Sequence, residues 1–238
     1  NEKYRNNWLA GTKYLLKHIN PYTKTCLADD PVLAGLEFLN EQDIQLRFLK
    51  AFTPAWRESL SKKYENIDKM RSAWDNRIAG KAWPESVKDF KAIPAISGTL
   101  LSSGGQSSKD AIAFLQNIMT DITCWYNQQV CDMGFKGFTT QWDMYMRLLD
   151  IPPRSLMPVV AMHTYFAHPH RKKLSVKYNQ QLLWGTWDKG KEVKISTRNS
   201  SLRDGGSYFT RVAVTRFPDR PFMITEFSTT THQIYAHE

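Results

Sequence analysis

Two glutamates of this sequence stand at the ends of short apolar segments. Glu41 follows residues 32–40, and Glu226 follows residues 220–225. A buried parallel strand is a nearly continuous hydrophobic run, and in parallel-sheet enzymes the side chains that do chemistry follow the carboxyl ends of such strands. Two carboxyl groups that converge from different strands can act as a proton donor and a nucleophile. Glu41 and Glu226 are therefore our candidates for catalytic carboxyl groups.

Further side chains on or after the predicted strands could contact a ligand. The residues in this group are Asn40, Trp142, His163, Tyr165, His168 and Trp184. Aromatic rings stack on the apolar faces of sugars, although a single ring more often fills a core. A histidine on a strand is either a structural group or a group that faces the cleft. Glu37 lies four residues before Glu41, and the two-residue period of a strand predicts that both lie on one face, in the site or as a polar partner in the core.

The segments around these residues alternate between helical and strand patterns. Helices are predicted at 8–19, 46–78, 109–133 and 207–215, and strands at 32–39, 135–141, 157–166 and 222–227. Alternation of this kind predicts a parallel sheet with helical crossovers, which is an α/β fold. Residues 79–108 are predicted to be a connector, and residues 171–200 a basic insertion after the third strand.

The composition is that of a globular protein, with 42% hydrophobic and 23% charged residues. The net charge of +9 raises an anionic polysaccharide or a nucleic acid as a partner. We expect no nucleic-acid partner, because the basic residues are scattered along the helices and no nucleic-acid-binding motif is visible. We predict no cofactor and no metal, since the histidines match no standard zinc spacing. No signal peptide is visible, and no apolar run is long enough to span a membrane.

Three landmarks in chain order carry a resemblance to a known group of enzymes. Asn40-Glu41, His163-Thr-Tyr165 and the glutamate of Ile-Thr-Glu226-Phe resemble the motifs of the retaining glycoside hydrolases of clan A, which are cellulase-like (β/α)8 TIM barrels. The resemblance implies that Glu41 is the acid/base at the end of strand 4 and that Glu226 is the nucleophile at the end of strand 7. It also implies that Asn40 binds the sugar 2-hydroxyl, and that the protein is secreted, periplasmic or on the cell surface.

Counted from the Asn-Glu strand as the fourth, the chain holds strands 4 to 7 of such a barrel. We therefore expect residues 1–238 to be a single catalytic barrel domain that is incomplete at both ends. The expected reaction is cleavage of O-glycosidic bonds in a poly- or oligosaccharide by a retaining double displacement. Two alternatives stay open: a non-catalytic carbohydrate-binding or scaffold barrel, and a basic nucleic-acid-binding protein.

Overall fold

The structure is a computed structural model that describes residues 2–144, 147–165, 186–188, 191–192, 212–213 and 215–228. These residues combine helices with short strands in a mixed α/β architecture. The chain divides into two compact units. Unit 1 contains the described residues of 1–34, 42–137 and 147–156, and unit 2 contains those of 35–41, 138–146 and 157–238. The organisation of residues 1–238 as one domain stays a prediction.

Unit 1 is built mainly from helices. In chain order they are α1 (Glu2–Leu16), α2 (Thr53–Tyr64), α3 (Ile67–Ala73), α4 (Gly98–Ser102), α5 (Gly105–Asp132) and α6 (Ile151–Arg154). Short 3-10 helices cover Leu27–Asp29, Leu46–Phe52, Phe90–Ala92 and Leu148–Asp150. Within the described residues, no helix has both the length and the apolar character that a membrane span requires.

The strands are short and mostly pair two by two. They are β1 (Gly35–Glu37), β2 (Arg77–Ile78), β3 (Lys81–Ala82), β4 (Phe138–Thr140), β5 (Val160–Tyr165), β6 (Thr186–Asp188), β7 (Lys191–Glu192) and β8 (Phe222–Ser228). β1 pairs with β4 and β5 pairs with β8, both in parallel, whereas β2–β3 and β6–β7 are antiparallel. The parallel pairing expected from the sequence is confirmed for β1 with β4 and for β5 with β8. A closed barrel is not formed by the strands of the described residues.

One backbone hydrogen bond connects the two parallel pairs of unit 2. The N–H of His163 in β5 donates to the carbonyl oxygen of Asp143, three residues after β4 ends, at 2.6 Å. β1, β4, β5 and β8 therefore follow one another in this order, with the segment after β4 beside β5. The carboxyl ends of parallel strands meet at one edge, so side chains at these ends lie close together.

β1 and β4 approach each other closely at Gly35. Gly35 and Phe138 are partners in the parallel register. A Cβ atom added to Gly35 would overlap the ring of Phe138. A strand residue without a side chain is therefore required here, because the aromatic ring passes directly over the neighbouring backbone.

The helical pattern predicted over 46–78 is confirmed in part, because the structure divides it into the 3-10 helix Leu46–Phe52, α2 and α3. α2 ends at Tyr64, and Glu65 adopts a positive φ of 61°. Asn66 then caps α3, because its side-chain oxygen accepts a hydrogen bond from the Lys69 N–H at 2.9 Å. The apolar pattern continues across this break, and only the capping residue marks it. The predicted end of the helix at Gly134 is confirmed, with a φ of 84° just after α5.

α5 is the longest helix and presents one face to the interior of unit 1. Its buried residues Ala111, Leu115, Met119 and Thr123 recur every four positions, which is the spacing of one helical face. Trp56 of α2 belongs to the same hydrophobic core and is 1% exposed. This packing of apolar side chains supplies the main stabilisation of the unit.

A buried carboxylate lies within this helical core. Asp110 of α5 is 4% exposed and accepts hydrogen bonds from Lys63 at 2.7 Å, Tyr64 at 2.5 Å, Trp74 at 2.9 Å and Gln106 at 2.7 Å. Burial raises the pKa of Asp110, but these hydrogen bonds outweigh burial and the pKa is lowered. Asp110 is therefore a charged group whose hydrogen-bonding capacity is met by the protein itself.

Candidate active site

The segment that carries Glu41 is held in place by a buried amide. The side chain of Gln141, which is 1% exposed, accepts a hydrogen bond from the Leu39 N–H at 2.8 Å and donates one to the Leu39 carbonyl at 2.9 Å. These two bonds continue the pairing of β1 with β4 beyond the last residues of both strands. The strand itself is shorter than the predicted 32–39. Its last backbone hydrogen bond to the β4 segment runs from the Phe38 N–H to the Thr140 carbonyl, and at Leu39 the amide of Gln141 takes the place of the backbone.

Glu41 has an unusual backbone conformation. Its φ is +50°, which a residue with a side chain rarely adopts. Its N–H points to the carboxylate of Asp143, with a nitrogen–oxygen distance of 3.3 Å. Strained backbone of this kind occurs most often where a side chain has to be aimed at a site. The side chain of Glu41 is 44% exposed, so it is accessible to a ligand.

Glu226 is brought to the same place by an irregularity in β8. Met162 pairs with Ile224, but the next residue of β5, His163, pairs with Glu226. The register shift leaves Thr225 as the extra residue of a β-bulge. Without the shift, His163 would be opposite Thr225, and the side chain of Glu226 would point to the other face of the sheet. The bulge therefore places the carboxyl group of Glu226 on the same face as the ring of His163.

His163 contacts both predicted catalytic glutamates with one ring nitrogen. Its Nδ1 atom lies 3.4 Å from Oε1 of Glu41 and 3.4 Å from Oε2 of Glu226. These three atoms all lie within 4.8 Å of one another. The His163 side chain is 3% exposed, whereas those of Glu41 and Glu226 are 44% and 34% exposed. The arrangement places two accessible carboxyl groups over a buried imidazole.

The other ring nitrogen of His163 faces two more acids. Its Nε2 atom lies 2.6 Å from Oδ2 of Asp143 and 3.9 Å from Oε2 of Glu37. The contact with Asp143 has the distance of an ion pair but not the alignment of a hydrogen bond. Burial has the largest effect on the pKa of Glu37, and together with the hydrogen bond to Asp143 and the charges of the neighbouring acids it raises this pKa to about 9. Glu37 is therefore a neutral acid at pH 7.

Two groups of three side chains in this cluster have donor atoms of the kind that bind divalent cations. One consists of Glu41, His163 and Glu226, and the other of Glu37, Asp143 and His163. One imidazole nitrogen and two carboxylates suit zinc, manganese or iron. The absence of a metal stays a prediction.

The remaining predicted ligand-binding residues have different positions. Asn40 is exposed next to Glu41. Trp142 is 2% exposed, with a positive φ of 65°, so its ring is buried. Tyr165 is the last residue of β5, and its side chain lies outside the described part of the structure, as do His168 and Trp184. The predicted insertion 171–200 lies outside the described residues except for β6 and β7.

Two residues of the site, Asp143 and Gln141, were not predicted from the sequence. Asp143 was not among the candidates, although it follows the end of β4 and is completely buried. A search for every acid within three residues of a strand end would have found it. Gln141 was considered only as the end of a strand, and its amide contacts with Leu39 have no signature in the sequence. Glu37 had been assigned to the site or to the core, and the structure places it against Asp143 and His163.

Comparisons with known proteins give partial matches to solved structures. No family model matches the chain, and no curated protein matches its sequence. The crystal structure of an agarase matches 50% of this chain and 17% of that chain, with a TM-score of 0.36 and 15% identity. The structure of an exo-beta-agarase matches 47% of this chain and 14% of that chain, with a TM-score of 0.29 and 19% identity. This chain therefore covers less than a fifth of either agarase.

Proposed function

We propose that this protein is a glycoside hydrolase that cleaves O-glycosidic bonds of a poly- or oligosaccharide with retention of anomeric configuration. The observation that carries the proposal is the convergence of Glu41 and Glu226 on one nitrogen of His163, with the three atoms within 4.8 Å of one another. Retaining enzymes have carboxyl groups roughly 5 to 5.5 Å apart, whereas inverting enzymes need roughly 6.5 to 9.5 Å to admit a water molecule. The short spacing supports retention.

In this mechanism the two glutamates have different roles, which come from the resemblance in sequence. Glu226 is the nucleophile that attacks the anomeric carbon while Glu41 protonates the departing oxygen. Glu41 then removes a proton from water, which attacks the glycosyl–Glu226 ester and releases the sugar. The exposure of both side chains supports contact with a substrate. His163 contacts both groups and favours a fixed separation between them.

The proposed fold is a (β/α)8 barrel to which β1, β4, β5 and β8 contribute strands 4 to 7. The parallel pairs β1–β4 and β5–β8 support this order, and so does the hydrogen bond from the His163 N–H to the Asp143 carbonyl. In such barrels the active site lies at the carboxyl ends of the strands. Glu41 and Asp143 follow β1 and β4, and Glu226 lies two residues before the end of β8, so all three are near the carboxyl ends of their strands.

The proposal is tested by trapping the covalent intermediate. Turnover is first measured on a panel of neutral and anionic polysaccharides, agarose among them. An activated 2-deoxy-2-fluoro glycoside of the preferred sugar is then incubated with the protein, because the fluorine slows hydrolysis of the glycosyl–enzyme ester. We expect a mass increase on the peptide that contains Glu226. NMR of the first-formed product should show the same anomeric configuration as the substrate.

The matched variants are Glu226→Gln and Glu58→Gln. Glu58 is an exposed glutamate whose carboxylate pairs with Lys62, so its variant should be labelled like the unmodified protein. Glu226→Gln should remain unlabelled. An inverted product, or label on another residue, would contradict the assignment. A protein that binds a polysaccharide from the panel without turnover would support the non-catalytic carbohydrate-binding alternative. Binding of nucleic acid that weakens steeply with salt would support the third hypothesis.

A further inference from the structure

The ring of His163 separates two pairs of acids. Nδ1 faces Glu41 and Glu226, and Nε2 faces Asp143 and Glu37. The first pair has its role in the proposed reaction, whereas the second pair is too deeply placed to meet a substrate. Asp143 is fully buried, and the Glu37 side chain is 22% exposed. The second pair therefore reaches the first through His163.

The charges of this cluster do not balance without a shared proton. The acids that face His163 are Glu37 of β1, Glu41 after β1, Asp143 after β4 and Glu226 of β8. One imidazole cannot balance four carboxylates, and a buried charge without a partner is strongly unfavourable. Glu37 is the group best suited to hold a proton, because burial and the neighbouring acids all favour its neutral form. A protonated Glu37 can donate a hydrogen bond to Asp143.

Asp143 is connected to His163 at two points. Its carboxylate lies 2.6 Å from Nε2, and its carbonyl oxygen accepts the backbone N–H of His163 at 2.6 Å. The same carboxylate also faces the Glu41 N–H at 3.3 Å. Asp143 therefore contacts the backbone of one proposed catalytic residue and the ring that lies between both of them.

We propose that Asp143 is a positioning residue for His163, and that Glu37 holds Asp143 in place by sharing one proton with it. Asp143 attracts the Nε2–H of His163, so that Nδ1 is directed to Glu41 and Glu226. The expected effect on turnover rests on the proposed glycoside hydrolase function. The position of the proton on the His163 ring is independent of that function, and it can be measured in a protein without activity.

The direct test is NMR of protein labelled with ¹⁵N in its histidine rings. The His163 signals are identified by their absence from His163→Gln. We expect a proton on Nε2 in the unmodified protein, and a change in both ring-nitrogen shifts in Asp143→Asn. Asp132→Asn, which alters an exposed aspartate at the end of α5, is the matched control and should leave the signals unchanged. A neutral His163 with its proton on Nδ1 alone, or signals that Asp143→Asn does not alter, would overturn the proposal.

The second test uses turnover on the preferred polysaccharide. In Asp143→Asn we expect kcat to fall roughly 10- to 100-fold, the range seen when a group that orients a functional histidine is removed, with KM changed less than about 3-fold. A proportionate rise in KM with an unchanged kcat would contradict a positioning role. Glu37→Gln keeps a neutral donor to Asp143 and should retain more activity than Glu37→Ala. Equal losses in these two variants would contradict proton sharing.

The outcomes distinguish this proposal from the proposed function. An unmodified protein that shows no turnover but has the Nε2–H form of His163 disproves the function and supports the positioning role of Asp143. Metal analysis of the purified protein is a further check on the shared proton. One equivalent of a bound divalent cation that is lost in both Asp143→Asn and Glu37→Gln would overturn it, because a metal ion would then take the place of the proton.

Discussion

Unit 1 and unit 2 each contain a fully buried aspartate, and the two aspartates have opposite surroundings. Asp110 in unit 1 is surrounded by four hydrogen-bond donors. Asp143 in unit 2 lies against Glu37 and His163, and its Oδ1 atom has no hydrogen-bond partner among the residues that the structure describes. A buried acid whose partners satisfy it stabilises the fold, whereas acids placed against one another are retained at a cost. The contrast separates a structural carboxylate from a candidate functional one.

The largest effect that sharpens this contrast is expected at Glu226. Glu226→Gln removes the proposed nucleophile and should lower kcat by roughly 10⁴- to 10⁶-fold, the range found when catalytic groups are removed from a hydrolase. Its midpoint of thermal unfolding should remain close to that of the unmodified protein, because the side chain is partly exposed. Initial rates on the preferred polysaccharide and calorimetry check the two statements. If Glu226→Gln had a lower midpoint of thermal unfolding and an unchanged kcat, Glu226 would be a structural group and not a functional one.

Asp110→Ala should have the largest effect on stability. The change leaves Lys63, Tyr64, Trp74 and Gln106 without their common acceptor, and we expect the free energy of unfolding to fall by about 2–4 kcal/mol. Urea unfolding followed by tryptophan fluorescence measures this loss. Glu58→Ala removes an exposed ion pair with Lys62 and should leave the free energy of unfolding nearly unchanged. Similar losses in both variants would show that burial does not determine the effect.

A smaller loss of stability is expected at Gln141, whose amide both stabilises the fold and holds the segment that carries Glu41. Gln141→Ala removes both amide contacts with Leu39, and we expect a loss of about 1–2 kcal/mol in unfolding free energy. Glu41 lies two residues after Leu39, so kcat should also fall, by roughly 10-fold, as its carboxyl group loses its fixed position. Gln128→Ala, which removes an exposed contact with Asp132, is the control and should change neither quantity measurably. Unchanged kcat in a destabilised Gln141→Ala would assign this amide to the fold alone.

The pH dependence of stability should have opposite signs at the two buried sites. The pKa of Glu37 is raised from 4.5 to about 9, so its contribution is fully present below pH 4.5 and is lost as the pH rises toward 9. The pKa of Asp110 is lowered from 3.8, so its contribution is present above pH 3.8 and is lost as the pH falls through the lower folded value. Unfolding of Glu37→Gln should therefore depend less on pH between 5 and 9. Unfolding of Asp110→Asn should depend less on pH below 4.

The sequence predicted the elements better than it predicted their junctions. The parallel strands and the end of α5 at Gly134 follow from patterns within a few neighbouring residues. The break at Asn66 was missed because the apolar pattern continues through it. Asp143 was missed because nothing in the local sequence separates a buried acid from an exposed one. Its burial is decided by β5, twenty residues further along the chain.

The proximity of Glu41 to Glu226 likewise depends on contacts between distant parts of the chain. The sequence gives two acids near the ends of apolar segments, but their common face depends on the left-handed backbone at Glu41 and on the register shift in β8. Neither feature contains the glycine that usually marks it. Both are therefore imposed by tertiary contacts, which a pattern of single residues cannot encode.

The bulge at Thr225 makes the position of one carboxyl group depend on strand register as well as on residue type. If Thr225 were paired with His163 in a regular ladder, every side chain of the chain would be kept, but Glu226 would point away from His163. The same composition would then no longer bring the two glutamates to one ring nitrogen. The unpaired residue acts as a spacer, and the register of this strand matters to the candidate site as much as the acid that it carries.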